Sequence, residues 1–181
     1  MKNKSVIIVC GDPKSTFNEI LIKTLKNRIF KNAKFPIIII GSKKVFKKEL
    51  KKLKVKVNLK NFDNPENLSK KNIYNIDIPI DLKNFSLAKK NSYIEKSFKI
   101  ALNLLKKGDS LALINGPISK TTFLKGKYNG ITEFLAFKTR SHNEAMFLFN
   151  KDLSVSPMTT HIPINKVAQK IKKKMIIYKK N

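Results

Sequence analysis

The chain has 181 residues, the length of one domain of ordinary size, with 39 Lys plus Arg against 12 Asp plus Glu and a formal net charge of +27. Apolar residues make up 41% of it, enough for a packed core, which excludes a wholly disordered basic tail. No apolar run approaches the roughly 18 residues of a membrane-spanning helix, and the single cysteine, Cys10, excludes an internal disulfide framework and a cysteine-based zinc cluster.

Residues 5–10 read as a buried strand, too short for a signal-peptide apolar segment of ~7–15 residues, and end at Gly11-Asp12-Pro13. A helix is expected from Thr16, where Thr16-Phe17-Asn18-Glu19 matches a capping box and Phe17, Ile20, Leu21, Thr24 and Leu25 share one face. Residues 35–40 form a second strand closed by Gly41-Ser42, and a lysine-rich helix follows over 42–53. Residues 55–59 alternate weakly as a strand, and 61–71 are a polar loop with Asn64-Pro65. Residues 73–80 alternate again as a strand. Ser92-Tyr93-Ile94-Glu95 predicts a second capping box, with Ile94, Phe98, Ala101, Leu102 and Leu105 behind it and a stop at Gly108. Residues 111–115 form a strand that breaks into Gly116-Pro117. Short helices are expected over 119–124 and 132–139, strands over 145–149 and 153–158, and a basic helix over 164–174. Strands alternating with helices argue for an open, largely parallel α/β sheet.

The charge has a plain origin. Only Arg28 and Arg140 are arginines, whereas nucleic-acid readers lean on Arg for bidentate contacts. Lysine comes here with much Asn, Ile and Phe, all served by A/T-rich codons. Compositional drift therefore accounts for the charge, and a selected polyanion surface is the alternative.

In such sheets ligands gather at the carboxyl ends of strands. Three stretches fall there: Gly11-Asp12-Pro13, then Asn115-Gly116-Pro117-Ile118-Ser119-Lys120, then Thr159-Thr160-His161-Ile162-Pro163. Neither glycine segment is a Walker loop or a dinucleotide fingerprint, so both also read as simple turns. Ser119 and Lys120 at a helix start would suit a phosphate, through free N–H groups and a lysine charge. His161 follows an apolar segment and precedes a turn; a lone histidine is either an ordinary hydrogen-bonded residue or a metal ligand. The other donors, His142, Asp12, Glu133 and Cys10, are scattered and show no metal-site spacing, and His142 reads as an exposed residue.

Taken in order, these segments resemble the 4-hydroxythreonine-4-phosphate dehydrogenase family of pyridoxal phosphate biosynthesis. The resemblance rests on Gly11-Asp12-Pro13 with Glu19-Ile20, on Ile114-Asn115-Gly116-Pro117-Ile118-Ser119-Lys120, on Gly130-Ile131-Thr132-Glu133-Phe134-Leu135-Ala136, and on Thr159-Thr160-His161-Ile162-Pro163-Ile164. Each motif is modest alone; four in register are specific. The resemblance implies an α/β/α fold like isocitrate and isopropylmalate dehydrogenases, in a homodimer, while the composition itself reads as that of a soluble cytoplasmic protein. It implies NAD-dependent oxidation and decarboxylation of 4-phosphooxy-L-threonine to 3-amino-2-oxopropyl phosphate, with a divalent cation (zinc, cobalt, manganese or magnesium). It places the first metal-binding histidine on His161 and a substrate-contacting threonine on Thr132, with Lys120 a weaker candidate for the substrate. No catalytic residue is assigned.

Two departures stand out. Ile131 occupies a position that is usually His in the family, so one polar substrate contact is lost or replaced. The family's midpoint falls near Asn181, so residues 1–181 correspond to its N-terminal portion, a fragment without the C-terminal NAD-binding portion. On that reading the chain holds no cofactor-binding residue and is inactive and poorly soluble alone. The alternative, from a different class, is a degenerate relative acting as a basic module for nucleic acid or another polyanion. The scarcity of Arg and of interleaved aromatics weighs against it, and neither nucleic acid nor a membrane is an expected partner.

Overall fold

The computed structural model describes residues 4–27, 30, 33–70, 72–141 and 144–180, and the chain divides into two units, Met1–Phe123 and Leu124–Asn181. The first unit is built on five parallel strands: β1 (Ser5–Val9), β2 (Ile37–Gly41), β3 (Leu59–Asn61), β4 (Ile73–Asp77) and β5 (Ser110–Asn115). Their order across the sheet is β3-β4-β2-β1-β5. The runs Val-Ile-Ile-Val and Ile-Ile-Ile-Ile are apolar on both faces, the pattern of strands covered on both sides.

Helices supply the cover. Ile8 of β1, Cys10 just past its end and Ile37 and Ile39 of β2 share a cluster with Leu21, Ile22 and Leu25 of α1 (Phe17–Lys26) and Phe46 of α2 (Lys43–Lys52). By strand alternation Ile7, Val9, Ile38 and Ile40 face the opposite side. There α3 (Leu87–Lys106) packs on β1, β2 and β5 and buries Ile94, Phe98 and Ala101. The expected parallel α/β layering is present.

β1 lies between β2 and β5, so the chain leaves it in one direction and returns on its other side. That makes the carboxyl ends of β1 and β5 a topological switch point. The amino ends are fastened as well: the Ser5 and Ser110 hydroxyls lie 2.7 Å apart and are buried.

The second unit holds α4 (Ile131–Thr139), a short 3-10 turn at Ile164–Lys166, α5 (Val167–Lys170) and α6 (Lys173–Lys180). Leu124, Phe134 and Ala136 are its buried apolar side chains among the described residues. Tyr128 meets Phe134 edge-on at 5.5 Å between ring centres.

Several local expectations are corrected. The capping box at Thr16 does not form: Thr16 has helical backbone (φ −69°, ψ −5°) and its side chain makes no cap bond. A cap needs the extended conformation, and Glu19 pairs with Lys23 at 2.6 Å instead. Ser42 does cap α2, accepting from the Val45 N–H. Ser92 lies inside α3, which starts at Leu87 behind Ser86, because Leu-Ala-Lys-Lys is itself a strong helix-forming stretch. Pairing in the 55–59 region begins only at Leu59. The strand expected to reach residue 80 stops at Asp77, two residues before Pro79. The strands expected over 145–149 and 153–158 reduce to one antiparallel bridge between Leu148 and Val155, since alternation supplies no further partner strand. The helix expected over 164–174 is broken at Ile171, which is extended (φ −75°, ψ 118°). His142, expected to be exposed, lies outside the described residues.

Candidate functional site at the strand ends

Two loops cross at the carboxyl ends of β1 and β5. Gly11 has φ +69°, a conformation that side chains resist, and a Cβ there would collide with the Pro117 carbonyl oxygen. A Cβ at Gly116 would strike the Cys10 carbonyl and the Phe17 ring. The backbones bond directly: Gly116 N–H donates to Val9 O at 2.7 Å and Asp12 N–H donates to Pro117 O at 2.9 Å. The two segments singled out in the sequence thus form one interlocked unit.

Asp12 is the polar centre of the first loop. Its Oδ1 accepts from Lys14 N–H at 3.0 Å, and its carbonyl accepts from the Ser15 hydroxyl at 2.7 Å. Its Oδ2 accepts from Lys90 Nζ at 3.0 Å, with the two side chains 21% and 20% exposed. The next residue of α3, Asn91, donates through Nδ2 to Thr122 O at 2.9 Å. Adjacent α3 residues therefore hold one loop each. Asn91 Oδ1 and Thr122 Oγ1 are buried without a hydrogen-bond partner among the described residues.

The second loop continues into a single π-helical turn, Lys120–Leu124. Ser119 Oγ accepts from Thr122 N–H at 3.1 Å, so its hydroxyl oxygen caps the turn. Lys120, the first residue of this turn, is exposed.

Behind β1, Cys10 is buried, which pushes its thiol up to about 12, so the free thiol stays protonated at neutral pH. Burial likewise raises the Tyr93 hydroxyl, which accepts from Ser42 N–H at 3.0 Å.

The second unit carries the other expected site residues. Ile131 and Thr132 occupy the first turn of α4 and are half-buried. His161 is exposed and left-handed (φ +58°), an uncommon backbone state for a side-chain-bearing residue. No hydrogen bond joins His161 to Thr132 or orients its ring among the described residues. Nor is there a group of three or more His, Cys, Asp or Glu able to hold a metal among them. One imidazole without an orienting partner does not make a metal centre by itself. No helix among the described residues is long and apolar enough to cross a membrane.

Sequence reasoning located both glycine loops but missed Lys90 and Asn91. Lys90 is one lysine among many, and its partner Asp12 is 78 positions away. Only the end of β1 and the start of α3 meeting in space singles it out.

Residues 33–181 match the family described as pyridoxal phosphate biosynthetic protein PdxA. The chain is 35% identical over 180 residues to the 4-hydroxythreonine-4-phosphate dehydrogenase of Sulfurihydrogenibium sp. (strain YO3AOP1), covering 95% of this chain and 54% of that protein. It is 30% identical over 176 residues to the D-threonate 4-phosphate dehydrogenase of Salmonella typhimurium, covering 92% of this chain and 53% of that protein. In structure it is similar to a 4-hydroxythreonine-4-phosphate dehydrogenase from Burkholderia phymatum, with a TM-score of 0.81 at 25% identity over 96% of this chain and 55% of that one. The chain spans about half the length of the curated relatives it matches. With a family match across most of its length and a shared fold, the chain belongs to the PdxA family.

Proposed function

We propose that the chain supplies the N-terminal half of an NAD-dependent dehydrogenase that oxidises 4-phosphooxy-L-threonine and releases CO2, giving 3-amino-2-oxopropyl phosphate for pyridoxal phosphate biosynthesis. The observation that carries this reading is the match to similarly named dehydrogenases over 95% of the chain. The Salmonella relative named for D-threonate 4-phosphate shares the substrate class, a four-carbon hydroxy acid phosphorylated at O4. The working unit is a cytoplasmic homodimer.

In this reading Thr132 donates its hydroxyl to the substrate from the first turn of α4, and Lys120 offers a cation to the phosphate. Ile131 lines the site with an apolar surface. His161 contributes one ligand toward a divalent cation, whose chemistry when bound is to polarise the alcohol oxygen. The described residues do not complete that metal site, and they offer no dinucleotide fingerprint for NAD.

The test uses this chain joined to the remaining residues of the Sulfurihydrogenibium relative. NADH formation is followed with each phosphorylated acid in turn. Thr132→Ala is expected to lower kcat/KM by about tenfold or more, the loss of one substrate hydrogen bond. His161→Ala is expected to abolish turnover. An unchanged kcat/KM in both variants of a folded, active protein contradicts the assignment.

A further inference from the structure

A cavity of about 400 Å³ lies between the carboxyl end of β4 and the first half of α3. Ile78, Pro79 and Ile80, which lead out of β4, form one wall, and Lys89, Ser92 and Lys96 of α3 form another. β2 stands between β4 and β1 in the sheet, so this cavity is apart from the loops that cross at the ends of β1 and β5.

The walls differ in chemistry. Steps of three and four residues put Lys89, Ser92 and Lys96 on one stripe of the helix, whereas the neighbouring Lys90 turns to Asp12. The Ser92 hydroxyl and Lys96 Nζ have no hydrogen-bond partner among the described residues. Lys89 Nζ donates to Asn84 O at 3.2 Å and keeps further N–H donors. Asp81 is the carboxylate among the described lining residues, and its Oδ1 accepts from Lys83 N–H at 3.0 Å. The opposite surface is apolar and held in place. Phe85 meets Tyr93 edge-on with ring centres 6.4 Å apart, and the Tyr93 hydroxyl is fixed from behind by Ser42 N–H. Ile78 is buried, and Ile80 and Phe85 are half-buried.

Two ammonium groups and a hydroxyl facing a fixed aromatic and aliphatic surface suit a ligand with a flat apolar body and one dianionic head. Lys89 and Lys96 lie about 10 Å apart along the helix axis, and their long stems let both ammonium groups close on one phosphate above Ser92. We propose that this cavity binds a small aryl phosphate monoester, with its phosphate between Lys89 and Lys96 and its ring against Ile80 and Phe85. The proposal rests on the cavity and its lining, independently of the catalytic reading.

Titration of the 181-residue chain with phenyl phosphate, followed through backbone amide NMR shifts, tests it. Methyl phosphate supplies the same head without the ring. Saturable shifts centred on Ile80, Phe85, Ser92 and Lys96 are expected, with a Kd at least about tenfold lower for phenyl phosphate than for methyl phosphate. Lys96→Gln is expected to raise that Kd at least about fivefold. Lys106→Gln, which removes an equally exposed lysine farther along α3, is expected to leave it within about twofold. Both side chains are exposed, so neither substitution disturbs the core. Shifts that spread over the lysine-rich surface without saturating overturn the proposal, as do equal affinities for the two esters or equal effects of the two variants. Saturable shifts centred on Lys120 instead would put the phosphate at the strand-end loops and overturn it as well.

Discussion

The two units spend their apolar residues in opposite ways. In Met1–Phe123 the apolar runs close into a sheet covered by helices, with Ile7, Val9, Ile22, Ile39, Ile40, Ile94 and Phe98 almost wholly buried. In Leu124–Asn181 Leu124 and Phe134 are buried, but many large apolar side chains stay in solvent: Phe147, Phe149, Leu153 and Ile164 are each more than 60% exposed. Composition alone does not produce a core. Burial follows where successive strands find neighbours, and residues 145–158 find one bridge where a sheet was expected.

The sharpest test of that contrast pairs two phenylalanines. Phe98→Ala empties a fully buried site in the first unit and is expected to cost about 3–5 kcal/mol by urea denaturation. Phe149→Ser in the second unit is expected to change stability by no more than about 0.5 kcal/mol and to raise solubility. Equal costs would break the comparison.

Next in size is Gly116→Ala. A methyl group there meets backbone oxygen that has no room to retreat, so a loss of about 3 kcal/mol or failure to fold is expected, read by the same denaturation.

Alkaline pH probes the same packed region more gently. The buried Cys10 thiol sits at about 12 in the folded chain against an ordinary 9.0. Its raised value leaves stability intact below pH 9.0 and erodes it as pH climbs toward 12, because the unfolded chain ionises first. The slope is about 1.4 kcal/mol per pH unit, and Tyr93, also raised by burial, steepens it above its ordinary 10.0. Denaturation midpoints measured through this window, with Cys10→Ala as control, are expected to fall in the parent and to fall less in the variant.

The smallest effect concerns the strand-end loops. A double-mutant cycle on Asp12→Asn and Lys90→Met is expected to return a coupling of about 1 kcal/mol, since the pair is largely shielded from solvent. A coupling of zero would reduce Lys90 to one more surface lysine.

Much of the first unit was legible because its signals are local. β-Branched runs closed by glycine gave β1, β2 and β5, and Ser42 announced α2. The capping boxes at Thr16 and Ser92 misled because the four-residue pattern says nothing about backbone conformation. The glycine loops were visible as turns, but their collision-tight crossing depends on residues 105 positions apart, Gly11 and Gly116. The Lys90–Asp12 bond was hidden by the same arithmetic and by the abundance of lysine. In the second unit, the strands expected over 145–149 and 153–158 come to one bridge, because pairing requires a neighbour that a local apolar run does not name.

Turnover tests most directly the proposal that the chain is one half of a dehydrogenase. The purified 181-residue chain is supplied with NAD, a divalent cation and 4-phosphooxy-L-threonine, alone and then joined to the remaining residues of the Sulfurihydrogenibium relative. The expected result is no NADH from the chain alone and sustained NADH formation from the joined protein. Full turnover by the chain alone, or none by a folded joined protein with either phosphorylated acid, would contradict it.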